Sequence, residues 1–215
     1  MAGRYLTVAD LPRTIGIFPL TGILLLPRGQ LPLNVFEPRY LEMVDYALTG
    51  DRLIGMIQPA ESEDKSPAPR LTHVGCAGKI ISFRETEDNR YLITLGGICR
   101  FRLTGEMQST TPWRAGFCDF AGFAGDLAQP GEETFSRERL LKALKTYLTS
   151  RDMQADWSSV MTAPGEALIN ALAMMCPFDP AEKQALLEAG SVQDRASTLI
   201  ALLEIGGEAG PTTLN

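Results

Sequence analysis

At Gln129-Pro130-Gly131 the hydrophobic pattern of this 215-residue chain changes its period. Ahead of that point the apolar residues come in short runs, at 15–18, 23–26, 31–35, 53–58, 74–83, 90–95, 98–103 and 114–120, separated by Gly, Pro or polar punctuation. Runs of that length, rich in Ile, Val, Leu and Phe, read as strands. In Ile98-Cys99-Arg100-Phe101-Arg102-Leu103 apolar and basic residues alternate, which marks a strand with one buried and one wet face. The runs at 79–84 and 90–95 flank a polar loop containing Asp88-Asn89 and form a hairpin, after which Gly96-Gly97 breaks the path. A single helix interrupts the strands, with Pro38 in its first turn and Tyr40, Leu41, Val44 and Leu48 at helical spacing up to Gly50. Residues 60–70, polar and proline-bearing, read as an exposed loop.

Beyond the break the spacing is helical. Residues 132–150 carry Leu140, Leu141, Leu144 and Leu148, with glutamates early and Lys142 and Lys145 late, as the helix dipole favours. A second helix near 164–175 shows a stripe of Leu168, Leu172 and Met175. A third starts at Asp179-Pro180, a cap followed by proline, and stops by Gly190. A fourth starts at Ser191 and leads to Gly206-Gly207. Strands followed by helices give an α+β chain with segregated halves. The expected division is a small closed or nearly closed β-barrel with one inserted helix over 12–124 and a helical bundle over 131–206.

The search for chemistry excludes more than it finds. The 26 acidic against 20 basic residues leave a net charge of −6, which disfavours nucleic acid as the main partner. The apolar stretch 15–27 is interrupted by Pro19 and Gly22, lacks a small-x-small cleavage site and is too short to span a bilayer, so no leader and no membrane association are expected. Cys76, Cys99, Cys118 and Cys176 form no C-x-x-C pair, and their neighbours look like strand or helix interiors, so they are expected as buried thiols in a reducing cytoplasm. The one histidine, His73, has no partner motif and reads as a strand-start residue after the exposed loop. There is no G-x-S-x-G elbow and no G-x-x-x-x-G-K-[ST] loop. No catalytic residue, metal or cofactor is expected. Arg84, Arg90, Arg100 and Arg102 share one face of the hairpin region, either as an anion or RNA contact or, with Glu85, Glu87 and Asp88 near, as solvated cross-strand pairs.

What remains is apolar side chain in excess of what a small barrel holds. Ile23-Leu24-Leu25-Leu26, Leu31-Pro32-Leu33 and Val35-Phe36 either pack against the helix at Pro38 or the bundle, or line a groove for hydrophobic peptide segments. Leu24, Leu25, Leu33 and Phe36 are the candidate peptide-binding residues, and a free strand edge is a second place for an extended chain to add.

The run Phe18-Pro19-Leu20, Leu26-Pro27-Arg28-Gly29 and Leu31-Pro32-Leu33-Asn34-Val35-Phe36-Glu37-Pro38-Arg39-Tyr40 closely resembles the opening of the LON substrate-binding domain, the PUA-like N-terminal domain of ATP-dependent Lon proteases, also found free-standing in bacteria. The likeness continues through Val74-Gly75, Lys79-Ile80, the stretch from Tyr91 to Phe101, and Pro177-Phe178-Asp179-Pro180 with the helix after it. The resemblance implies a PUA-like β-barrel followed by a helical bundle, and engagement of unfolded or partly unfolded polypeptides, as an adaptor to a cellular protease or a chaperone-like holder. It carries over no catalytic residue, because the ATPase and Ser-Lys protease modules of Lon have no counterpart before Asn215. Glu37-Pro38-Arg39-Tyr40 reads as an architectural helix start. By analogy with other PUA domains, an RNA-binding protein is the alternative.

Overall fold

The alternating runs of the first half become six strands, joined in one mixed sheet in the order β2-β5-β4-β3-β1-β6. These are β1 (Thr14–Pro19), β2 (Gln30–Val35), β3 (Leu53–Ile57), β4 (Val74–Glu85), β5 (Tyr91–Met107) and β6 (Arg114–Asp119), with α1 (Pro38–Thr49) between β2 and β3. The structure, a computed structural model, describes residues 5–64, 66, 68–108, 110–129 and 135–208. The chain divides between residues 129 and 130 into two compact units. The Pro130-Gly131 punctuation, residues 132–134 of the first expected bundle helix, and Lys65 and Pro67 of the exposed loop lie outside the described residues.

In the first unit β1 and β3 run parallel, with Gly16 opposite Ile54, and β2 and α1 make the crossover between them. The other pairings are antiparallel, and β6 pairs with β1 on one side and with residues 102–107 of β5 on the other. The ladder β5-β4-β3-β1-β6 therefore returns to β5, removing edges that short strands would leave open. Ile15, Ile17, Leu53, Ile57, Ala77, Cys99, Phe101 and Phe120 form the core inside this ring. The expected hairpin is present: β4 and β5 pair from Val74↔Arg102 to Glu85↔Tyr91, and Asn89 takes the left-handed conformation (φ 58°) in the turn. His73 lies exposed just before β4.

Two strand expectations need correction. Residues 23–26 form no strand; they cross the sheet as an irregular segment between turns at Gly22 and Arg28, both with positive φ. Hydrogen bonds from Arg28 N–H to Gly97 C=O and from Gly97 N–H to Gly29 C=O, each 2.8 Å, fix that segment on β5. Nor does Gly96-Gly97 break the path: β5 runs through both residues as one 17-residue strand. In α1 the buried stripe is Tyr40, Met43, Val44 and Ala47, while Leu41 and Leu48 are half-buried.

The second unit consists of α2 (Arg137–Ser150), α3 (Trp157–Thr162), α4 (Gly165–Met175), α5 (Pro180–Glu188) and α6 (Val192–Glu208). The expected caps are made: the Asp179 backbone N–H donates to Glu182 Oε2 at 2.8 Å, and Asp194 N–H donates to Ser191 Oγ at 3.0 Å. The short α3 has a signal in Asp156-Trp157-Ser158-Ser159, where both serine hydroxyls donate to the Asp156 carboxylate at 2.6 Å and hold its pKa at about 2. Helix α6 does not stop at Gly206-Gly207. A Cβ on Gly206 would fall 2.7 Å from the Tyr147 ring, so the glycines bring α6 close against α2 rather than ending it. Met175 is 80% exposed, not part of a buried stripe. No helix among the described residues is long and apolar enough to cross a membrane.

All four cysteines are free and buried. Burial pushes the Cys99 and Cys118 thiols up to about 12 and Cys176 to about 11, because a thiolate loses its hydration there. At pH 8 a disulfide-exchange reagent is expected to leave these three unmodified in the native protein and to titrate all four cysteines after denaturation. Rapid native labelling would show the burial to be wrong. Since the folded values lie above the unfolded value near 9, the contribution of these thiols to stability is intact below pH 9 and is lost as pH rises toward 12.

Candidate functional site

The four expected peptide-binding residues separate by burial. Leu24 and Leu25 are 2% and 1% exposed, and Leu25 lies against Gly78 of β4, so both belong to the core of the first unit and are removed from the candidate surface. Leu33 is half-buried on β2 and Phe36, just after β2, is 60% exposed. The segment that carries Leu24 and Leu25 is stitched inward by its flanking backbone hydrogen bonds, whereas β2 pairs on one side only.

Leu33 opposes Ile93 and Val35 opposes Tyr91 across β2 and β5, while Phe83 of β4 opposes Ile93 from the other side. Directly opposed residues share a face, so Leu33, Ile93 and Phe83 form a row, with Ile93 buried and Phe83 exposed. Phe83 meets Tyr91 edge-on, ring centroids 4.9 Å apart. One step beyond the Val35–Tyr91 pair, the Arg90 guanidinium lies 5.8 Å from the Phe36 ring centre and pairs with Asp88 at 2.8 Å. On the opposite face Ile81 stands out at a bulge in β4 and packs over Gly96. The free end of the β2-β5-β4 sheet thus shows Phe36 and Phe83 to solvent near half-buried Leu33 and Tyr91, and Ile81 to solvent on the other face. Phe83, Tyr91 and Ile81 carry no sequence signal of exposure, because their runs read as ordinary half-buried strands. The free edge of β2 carries Pro32, which donates no hydrogen bond, and polar Gln30 and Asn34, so it is blunted as an edge.

The arginine group does not form one solvated face. Arg100 is 5% exposed and donates through Nε to Asp126 Oδ2 and through Nη2 to Asp126 Oδ1, each at 2.9 Å, with its guanidinium 4.8 Å from the centre of the Phe123 ring. Arg84 and Arg102 are exposed. No cluster of three or more His, Cys, Asp or Glu side chains suited to a metal ion occurs among the described residues.

A concavity of about 390 Å³ lies elsewhere on this unit, lined by Pro19, Tyr40, Met107, Pro112, Trp113 and Arg114 among others. Arg114 is held by Glu106 through two 2.6 Å hydrogen bonds and donates to the Pro69 carbonyl at 2.8 Å. Arg39 is held by Glu37 at 2.8 Å.

Comparison with known proteins places these features in a family. The family model described as the ATP-dependent protease La (LON) substrate-binding domain matches residues 14–204. The Lon protease of Dictyoglomus thermophilum is 27% identical over 199 residues, covering 86% of this chain and 24% of that protease. The chain spans about a quarter or less of the length of the Lon proteases it matches. In three dimensions it is similar to a Lon N-terminal domain protein from Xanthomonas campestris (TM-score 0.60, 20% identity, 87% of this chain and 97% of that one). It is similar also to the N-terminal domain of the Mycobacterium avium complex Lon protease (TM-score 0.61, 15% identity, 88% and 97%), and at such identities the likeness is one of fold.

Proposed function

The chain belongs to the LON substrate-binding domain family, and on that premise we propose that it binds unfolded or partly unfolded polypeptide segments through apolar surface of its β unit and transforms none of them. The observation that carries this reading is the apolar end of the β2-β5-β4 sheet, where Phe36 and Phe83 are exposed near half-buried Leu33 and Tyr91 although the unit has a core of its own. Exposed apolar groups gathered at one end of a sheet are surface kept available for another chain. The two edge-on aromatic rings and the guanidinium-covered Phe36 supply rigid contacts that lose little side-chain freedom on binding. The reading extends to a role as adaptor, including delivery to a cellular protease, or as chaperone-like holder, in the cytoplasm that four free thiols favour.

Titration of a dye-labelled, reduced and alkylated model protein, followed by fluorescence anisotropy, tests it. Saturable binding is expected, with a folded control protein giving none. Phe36→Asp should weaken binding about tenfold, the equivalent of roughly 1.4 kcal/mol and within what burying a phenylalanine contributes. Because Phe36 is exposed, the thermal midpoint should stay unchanged. Binding that is absent in the native chain, or untouched by Phe36→Asp, would remove the reading or this surface respectively.

A further inference from the structure

The pocket beside α1 has a mixed lining, in which Pro19, Met107, Pro112 and Trp113 alternate with paired charges and with a tyrosine whose hydroxyl makes no hydrogen bond among the described residues. Tyr40, in the first turn of α1, is 6% exposed, its ring held 4.2 Å from the Phe18 ring and beneath the Arg39 guanidinium at 4.5 Å. Among the described residues its hydroxyl makes no hydrogen bond, yet it is not one of the sealed polar atoms, which are Trp113 Nε1 and Tyr147 Oη. A tyrosine buried to this degree normally finds a partner for its O–H. Tyr40 lines the concavity together with Pro19, Met107, Pro112 and Trp113. Burial raises the phenol pKa, outweighing the neighbouring Arg39 and Arg114 charges, so the hydroxyl remains a donor at neutral pH.

The walls define what fits. Arg114 is neutralised by Glu106 in a two-point ion pair and Arg39 is held by Glu37, so neither guanidinium calls for an anionic guest. The volume of about 390 Å³ is ample for one large apolar side chain and the main chain next to it. A neutral acceptor attached to apolar bulk is the complementary chemistry, and an extended polypeptide presents that combination at each apolar residue. We propose that this pocket receives one apolar side chain of the bound polypeptide, with the Tyr40 hydroxyl donating to an adjoining main-chain carbonyl. The inference rests on the polypeptide-binding reading and assigns it a second contact, separate from the Phe36 surface.

The test uses the same dye-labelled, reduced and alkylated protein with the full chain. Tyr40→Phe, which deletes the donor alone, is expected to weaken binding 3- to 10-fold. Met107→Trp, at an exposed position on the pocket wall, is expected to weaken it tenfold or more by filling the space. Thermal midpoints of both variants are compared with the native chain, and tyrosine labelled with ¹³C at Cζ adds a direct readout. The resonance missing from Tyr40→Phe is that of Tyr40, and it should shift on saturation with the unfolded protein. If the native chain binds while both variants bind equally well and the Tyr40 signal stays still, the pocket assignment is overturned and the polypeptide-binding reading stands. If the native chain binds nothing, both fall.

Discussion

Asp126→Ala is expected to destabilise the first unit by about 3–5 kcal/mol, lowering its thermal midpoint by on the order of 10 °C. The loss does not come from a surface ion pair, which is worth little. Asp126 and Arg100 are 8% and 5% exposed, and both carboxylate oxygens are used: Oδ1 accepts from Arg100 Nη2, and Oδ2 accepts from Arg100 Nε and from its backbone N–H, all at 2.9 Å. The Asp126 carbonyl also accepts from Arg28 Nη1, tying in the segment that carries the buried leucines. Removing the carboxylate takes three hydrogen bonds and the counter-charge from a buried guanidinium and its backbone N–H. Such a domain has about 5–15 kcal/mol in total, so the variant forfeits a large share of it. Urea denaturation measures the effect. A double variant, Asp126→Leu with Arg100→Met, should recover most of the loss, because it removes both charges while keeping volume. A loss below 1 kcal/mol for Asp126→Ala, or no recovery in the double variant, would show that the pair is not desolvated in solution.

That ion pair marks where sequence reading reached its limit. The alternation in β5 is correct: Cys99 and Phe101 enter the core and Arg102 is exposed. Arg100 departs from it because the 3₁₀ segment Ala121–Leu127 lies over the outer face of the sheet at that point and brings Asp126 and Phe123 onto the guanidinium. Periodicity reports one strand and its two faces; it does not report which loop returns to cover the wet one. The same holds for Leu24 and Leu25. Four consecutive apolar residues are compatible with core or groove, and the choice is made by backbone hydrogen bonds to Gly97, about 70 residues further on in the sequence. Local signals fared better: Pro38 opening α1, the Asp179 and Ser191 caps, and the Asp88-Asn89 hairpin turn each act within a few residues. Phe36 belongs to the apolar excess that sequence alone shows at 31–36, whereas Phe83 and Ile81 depend on the length of the β4–β5 ribbon and on its bulge.

Gly97→Ala is expected to cost about 3–5 kcal/mol, while Gly96→Ala, one residue away, should cost less than about 1 kcal/mol. A Cβ on Gly97 would lie 1.9 Å from the Leu26 carbonyl oxygen and 2.8 Å from its carbon, both backbone atoms with no rotamer to escape into. To relieve that contact the 26–29 turn must move off β5 by an ångström or more, which breaks the two 2.8 Å hydrogen bonds between Gly97 and residues 28 and 29. It also lifts the segment whose Leu24, Leu25 and Leu26 fill the core. A Cβ on Gly96 points the other way and meets the Ile81 Cγ2 methyl at 3.2 Å, where an exposed side chain needs to give by only a few tenths of an ångström. Replacing glycine also stiffens the unfolded chain, offsetting part of that small cost. Chemical denaturation of the two single variants measures the contrast, and equal losses would mean that the 23–29 segment is not seated on β5. The comparison bears on function too, because β2 follows directly on this turn. A chain whose turn has come off β5 presents Leu33 and Phe36 from a displaced strand, so Gly97→Ala should also weaken capture of unfolded polypeptide at temperatures where it remains folded, and Gly96→Ala should not.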